Sequence, residues 1–323
     1  MGTVVALTGQ VGGAKLVDGL YRLRGDDLTV IANTGDDFEH LGLAFSPDID
    51  TVLYTLAGLA SDDMGWEPAG ETQAMYRMLT ALGGPDRPKL GDKSLAAALL
   101  RADGRRDDRS LTDLTLQFCH NLGIGARVLP MTDDPVRTYV DTDDGAVTYP
   151  EYYNTLACEP EVRSLRYVGA EDARVSDQVL DALHANDLEA VVIGPANPYH
   201  SIRPILEIGG MKQLLRKRGA PVVAVTPIVG AKALKGAVGK MMRELGREVA
   251  ARSVAMEYYK LIDGFVIDAV DENQADGILA SGIEVMIAQT VMRTVDDRVA
   301  LAQTVLDFAR AIGAGKAREG ENV

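Results

Sequence analysis

The chain has 323 residues, 46% hydrophobic and 25% charged, the composition of a globular protein of one or two domains. Its formal net charge of −14 argues against a nonspecific nucleic-acid binder, which needs clustered Lys and Arg, but leaves open a nucleotide held by backbone amides and a few cations. No apolar run approaches the ~20 residues of a membrane span, no signal-peptide pattern opens the chain, and Cys119 and Cys158 stand in no metal spacing, so a cytoplasmic protein with reduced thiols and no membrane partner is expected.

In chain order, the apolar run 3–7 reads as a buried strand. It leads into Gly9-Gln10-Val11-Gly12-Gly13-Ala14-Lys15, and Leu16, Leu20 and Leu23 keep helical spacing over 13–24. Strand, Gly-rich turn and helix together can cradle a phosphate, because backbone N–H groups and the positive helix end point at the anion. The loop is neither G-x-G-x-x-G nor a P-loop, so a plain tight turn opening a Rossmann-like domain fits it equally. A second strand at 28–32 ends in Asn33-Thr34-Gly35-Asp36-Asp37. Residues 49–125 read as a mostly helical insertion, with helices at 49–60, 71–82, 94–103 and 110–122. Residues 127–168 read as a small β-rich insertion, in which Asp143-Asp144-Gly145 is a hairpin signal between alternating runs. Beyond it, helices at 174–185, 209–218, 251–261 and 296–312 alternate with strands at 190–193, 221–225 and 264–267. The alternation predicts an α/β fold: a doubly wound, mainly parallel Rossmann-like sheet, one domain over 1–312, with a disordered tail at 313–323.

In such a sheet ligands gather at the carboxyl ends of strands. Asp36 and Asp37 end the second strand and suit a hard divalent cation, or an Asp-rich turn. Ser46-Pro47-Asp48-Ile49-Asp50-Thr51-Val52-Leu53-Tyr54 follows, where Asp48 or Asp50 suits a helix N-cap and also brings two further carboxylates near the first pair. Carboxylates beside a phosphate-type loop fit metal-assisted phosphoryl chemistry. Ile193-Gly194-Pro195-Ala196-Asn197-Pro198 is a rigid turn whose Asn197 offers both donor and acceptor to a base edge or sugar phosphate. Lys235 and Lys240, among small residues, suit a phosphate or carboxylate, and Lys93 after Leu90-Gly91-Asp92 suits another anion. There is no H-E-x-x-H, C-x-x-C or G-x-S-x-G.

Taken in order, these segments resemble the CofD family of 2-phospho-L-lactate transferases of coenzyme F-420 biosynthesis. Leu111-Thr112-Asp113, Leu129-Pro130-Met131-Thr132-Asp133-Asp134-Pro135, Thr226-Pro227-Ile228-Val229-Gly230 and Met256-Glu257-Tyr258-Tyr259 complete the ordered set, which spans roughly residues 3–310. The resemblance implies a Mg²⁺-dependent transfer of a phospho-organic acid, phospholactate or phosphoenolpyruvate, from a guanosine diphosphate ester to the deazaflavin Fo, releasing GMP. It implies a homodimer. With that reaction, the four carboxylates beside the Gly-rich loop suggest Asp50 and Asp37 as catalytic, Asp50, Asp48 and Lys93 for Fo, and Asp36, Asp37 and Asp50 for the metal. Gly9, Gly12, Gly13, Lys15, Asn33, Gly194, Pro195 and Asn197 would hold the phosphates and guanosine. A second reading is a noncatalytic regulator like the YvcK family, which shares the Gly-rich fold and binds nucleotide sugars. Two departures stand out. Gln10 replaces the second glycine of the usual Gly-Gly-x-Gly, and Lys93, Ser94 and Ala98 replace an Arg-Asp pair and a following His.

Overall fold

The computed structural model describes residues 2–217, 219–233 and 236–320. Seven strands form the central sheet: β1 (Thr3–Thr8), β2 (Leu28–Ala32), β3 (Arg127–Pro130), β4 (Leu188–Ile193), β5 (Val222–Val225), β6 (Gly264–Asp268) and β7 (Glu284–Ala288). Their spatial order is β7-β6-β5-β4-β1-β2-β3, and every pair is parallel. Ala6 of β1 registers with Val30 on one side and Val192 on the other. The chain winds outward from β1 in one direction and from β4 in the other, so a crevice opens between their carboxyl ends, where doubly wound sheets bind ligands.

Strand side chains alternate between two cores. Val4, Ala6, Val30 and Val192 face one core with the helices α1 (Gln10–Arg24), α2 (Pro47–Leu56) and Val295–Gly320. Val5, Leu7, Ile31 and Ile193 face the other, which is completed by a three-stranded antiparallel sheet of Arg137–Thr142, Gly145–Thr148 and Val162–Val168. A third, smaller cluster joins Phe45 to Leu90 and Ala98, the latter on α3 (Asp92–Arg106).

The fold differs from the expectation at four places. Arg127–Pro130 belongs to the central sheet rather than to the β-rich insertion, pairing in parallel with β2. β7 was hidden because Glu284–Ala288 is an edge strand without a fully buried residue, so it lacks the continuous apolar run of its neighbours. Between β2 and α2 lies an unforeseen hairpin, Phe38–His40 with Leu43–Phe45; its turn puts Leu41 and Gly42 at φ of 53° and 74°, and no Asn-Gly announces it. The last helix continues to Gly320, through the segment expected to be a frayed tail, where Ala314, Lys316, Ala317 and Arg318 are good helix formers. No helix among the described residues is long and apolar enough to cross a membrane.

Candidate active site

The glycine-rich loop is shorter than its sequence suggested. Gly9 is extended and N-caps α1, which already starts at Gln10. The glycines serve close approach. A Cβ at Gly12 would overlap the Pro195 carbonyl oxygen, and one at Gly13 would overlap Thr8 Oγ1. The first turn of α1 is thereby seated on the Gly194–Asn197 turn, with Gly194 N donating to Leu7 O at 3.0 Å. The N–H groups of Val11 and Gly12 have no intrahelical acceptor, and both residues line a cavity of about 740 Å³ at the crevice. That volume suits a small molecule the size of a nucleotide or cofactor.

The N-terminus of α2 is tied to that of α1. Asp48 Oδ1 accepts from Gln10 N at 2.9 Å, and Asp48 Oδ2 accepts from Asn33 Nδ2 at 2.9 Å. Asn33 also donates to His200 O and accepts from Gly35 N, so its role is to hold Asp48 and the two loops, not to reach phosphate. Asp50 lines the cavity, and both its oxygens are taken by Arg101 of α3 in a bidentate pair. Arg101 is 0% exposed and has Phe118 beneath its guanidinium at 5.5 Å. Ala98, Arg101 and Gly104 share the buried face of α3, and a Cβ at Gly104 would overlap Leu114. That i, i+3, i+6 run of small residues around an arginine was the one sequence signal for Arg101, and sequence reasoning passed over it.

The remaining carboxylates are buried. Asp36 Oδ2 lies 2.7 Å from His200 Nδ1, and the imidazole stacks on Tyr149 with centroids 3.7 Å apart. Burial pushes Asp36 well above the ordinary carboxylate range and His200 down to about 3, which favours a neutral imidazole. Asp37 accepts from Ser46 Oγ at 2.7 Å and is raised to about 8 by burial. Asp48 is raised to about 7, by burial first and then by the neighbouring Asp36 charge. Among the described residues, one oxygen each of Asp36 and Asp37 has no hydrogen-bond partner.

The expected metal triad is not assembled. Among the described residues no group of three or more His, Cys, Asp or Glu converges to hold an ion. Asp50 is held in a bidentate pair by Arg101, Asp36 turns to His200, and Asp37 is not on the cavity wall. Other expectations also change. Lys93 Nζ donates to Ala69 O and does not line the cavity, whereas Lys89 does. Lys240 is turned to Tyr152, Pro160 and Glu244, and Lys235 lies outside the described residues. Asn197 is on the wall, but its side chain caps Tyr199 N and reaches Met241 Sδ, so it shapes the turn. Lys15 lines the cavity and donates to Met292 O at 3.1 Å. An aromatic section of the wall, unforeseen in the sequence, is made by the stacked pair Phe38 and Phe45 with Tyr54, Trp66 and Tyr153.

Residues 4–298 match the family model described as 2-phospho-L-lactate transferase CofD. The chain belongs to the CofD family. A phosphoenolpyruvate transferase of Streptomyces griseus subsp. griseus is 36% identical over 96% of this chain and 99% of its own length. A 2-phospho-L-lactate transferase of Methanosarcina mazei is 36% identical over 94% and 99%, and one of Methanopyrus kandleri is 38% identical over 94% and 96%. Among solved structures, a UPF0052 family protein of Bacillus halodurans covers 94% of this chain and 98% of its own at a TM-score of 0.62 and 16% identity, a likeness of fold. In this CofD-family chain, Asp50, backed by the buried Arg101, and the α1 terminus with the Pro195 turn line one cavity.

Proposed function

We propose that this CofD chain transfers a phospho-organic acid, 2-phospho-L-lactate or phosphoenolpyruvate, from a guanosine diphosphate ester to the terminal ribityl hydroxyl of the deazaflavin Fo, releasing GMP. The observation that carries this reading is the tie between the two helix N-termini. It sets free amide donors for a diphosphate next to a carboxylate, Asp50, fixed by a buried arginine. The aromatic section around Phe38, Phe45 and Trp66 suits the flat deazaflavin. Names carried by the relatives, phosphoenolpyruvate transferase and 2-phospho-L-lactate transferase, support the same reaction class.

In this reading Asp50 accepts the hydrogen bond of the attacking hydroxyl and takes its proton as the new oxygen–phosphorus bond forms. The bond from that phosphorus to the bridging oxygen breaks, and GMP leaves. Lys15 and the Val11 and Gly12 amides face the charge that gathers on the leaving phosphate. Magnesium dependence, a homodimer and a cytoplasmic setting belong to the proposal through the family resemblance. No step above runs through the ion, because among the described residues no three carboxylates converge to hold it.

The test is incubation of the protein with Fo and the guanosine diphosphate ester of each acid, with and without Mg²⁺, read by mass spectrometry of the deazaflavin product. Product with at least one donor, lost in Asp50→Asn, is the expected result. No phosphodiester product with any donor overturns the reading.

A further inference from the structure

Gln10 is strained where a glycine would rest easily. Its φ is 57°, in the left-handed region, at the first position of α1. The backbone is locked there, since Gln10 N is bound to Asp48 and Gly9 is pinned because a Cβ on it would crowd Asp48 and Ser201. The carboxamide of Gln10 has no hydrogen-bond partner among the described residues, and Gln10 lines the cavity. A side chain stands at a place that disfavours one, and Gln10 is half-buried and belongs to none of the hydrophobic clusters.

Its position assigns it a target. On one side are the free first-turn amides of α1, which face the diphosphate in the proposed reaction; on the other are Asp48 and Asp50 at the start of α2, where the acceptor hydroxyl sits. The group between leaving phosphate and attacking hydroxyl is the phosphorus that carries the organic acid. We infer that Gln10 is a donor-specificity residue whose carboxamide hydrogen-bonds to the acid portion of the guanosine diphosphate ester, distinguishing the ester from GDP. This rests on the transferase reading above. A carboxamide offers donors to the carboxylate shared by these acids without adding charge to the site.

The experiment compares wild type, Gln10→Ala and Gln10→Gly for transfer to Fo, for inhibition by GDP, and for Tm. Alanine keeps the strain and removes the amide; glycine removes both. Loss of a hydrogen bond to a charged group predicts a donor KM raised roughly ten- to hundredfold in both variants, with kcat little changed. GDP, which lacks the acid, should inhibit all three proteins equally, and Gln10→Gly should melt at or above the wild-type Tm. An unchanged donor KM overturns the inference. So does a GDP inhibition weakened by the same factor, which would put the contact on the diphosphate. A lower Tm for Gln10→Gly also overturns it, by making the side chain structural. A wild type that makes no product removes the transferase reading and this inference with it, whereas an active wild type with unaltered variants removes the inference alone.

Discussion

Removing the Arg101 guanidinium strikes at the one buried ion pair that holds a proposed catalytic group. In Arg101→Met the carboxylate of Asp50 loses both of its bidentate bonds, and Arg101 was 0% exposed. Breaking a buried pair by deleting one partner costs about 3–5 kcal/mol. Asp50 lines the cavity, so water can reach the stranded carboxylate, which favours the lower end, ~3 kcal/mol. An unfolding entropy of roughly 2.1 cal/mol/K per residue makes this a fall in Tm of ~4 °C for a chain of this size. Turnover should fall further than stability suggests, by ~10²-fold, because the proton acceptor is no longer fixed. The double variant Asp50→Leu with Arg101→Met, an apolar pair in the same space, should recover much of the lost stability while remaining inactive. Thermal melts by circular dichroism, with Fo turnover measured on the same preparations, check all three. A Tm for Arg101→Met within 1 °C of wild type together with full turnover would falsify the role given to the pair.

Gly12→Ala places a methyl group against the Pro195 carbonyl, which is backbone and cannot swing away. A loss of about 1–3 kcal/mol in chemical denaturation, with weaker GDP binding as α1 lifts from the turn, is expected; unchanged values for both would mean the close approach is unimportant. Lys89→Ala should raise the KM for Fo or the donor, while Lys93→Ala, whose ammonium is spent on Ala69 O away from the wall, should leave both near wild type. The reverse outcome would restore Lys93 as the ligand-facing cation. Asp37 holds its proton in the folded chain up to about pH 8, mainly through burial, but releases it near pH ~4 when unfolded. The folded state therefore binds the extra proton across that interval. Its stabilising contribution is whole below pH ~4 and is lost as pH rises to about 8. Asp37→Asn, which cannot ionise, should flatten this decline and gain on wild type at pH 9 relative to pH 5 in urea melts. Parallel curves for the two proteins would refute it.

The sheet was legible where strands are buried on both faces. β1, β2, β4, β5 and β6 carry unbroken apolar runs because helices or the second sheet cover each side. β7, at the sheet edge, is only partly covered, with Val285 packed against one core and Met286 and Ala288 against the other, and it lost its signature; the hairpin before α2 rests on Leu41 adopting a positive φ, which no sequence rule favours. In the site, composition and order pointed to Asp48, Asp50 and the Gly-rich start of α1, which the fold brings to one cavity wall. What a linear reading could not supply was pairing. Asp50 meets Arg101 across 51 positions, and Asp36 meets His200 across 164. Those partners convert a presumed cluster of metal-ready carboxylates into separately committed groups. The glycines also have a packing reason that a linear reading does not show: Gly12 is small so that α1 can meet the Pro195 carbonyl, and Gly13 so that it can meet the Thr8 side chain, while Gly12 also lines the cavity.

An acidic cavity in a protein of net charge −14 is an improbable home for a diphosphate until its carboxylates are counted by state. Burial pushes Asp36 well above the ordinary carboxylate range, raises Asp37 to about 8, so that it is mostly neutral at pH 7, and raises Asp48 to about 7, near half-ionised. Asp50 is matched by Arg101. Against that reduced negative charge stand Lys15, Lys89 and Arg293 on the wall and the positive end of α1. Asp63 and Glu67 also stand on the wall, so the balance at neutral pH is close to neutral, although the local sequence is rich in aspartate. The same burial explains why these aspartates tolerate each other's company: Asp36 raises Asp48, so ionising one discourages the other. A site built in this way holds an anion with few cations. It also keeps a carboxylate, Asp50, beside that anion without repelling it, because the arginine that orients the carboxylate cancels its charge.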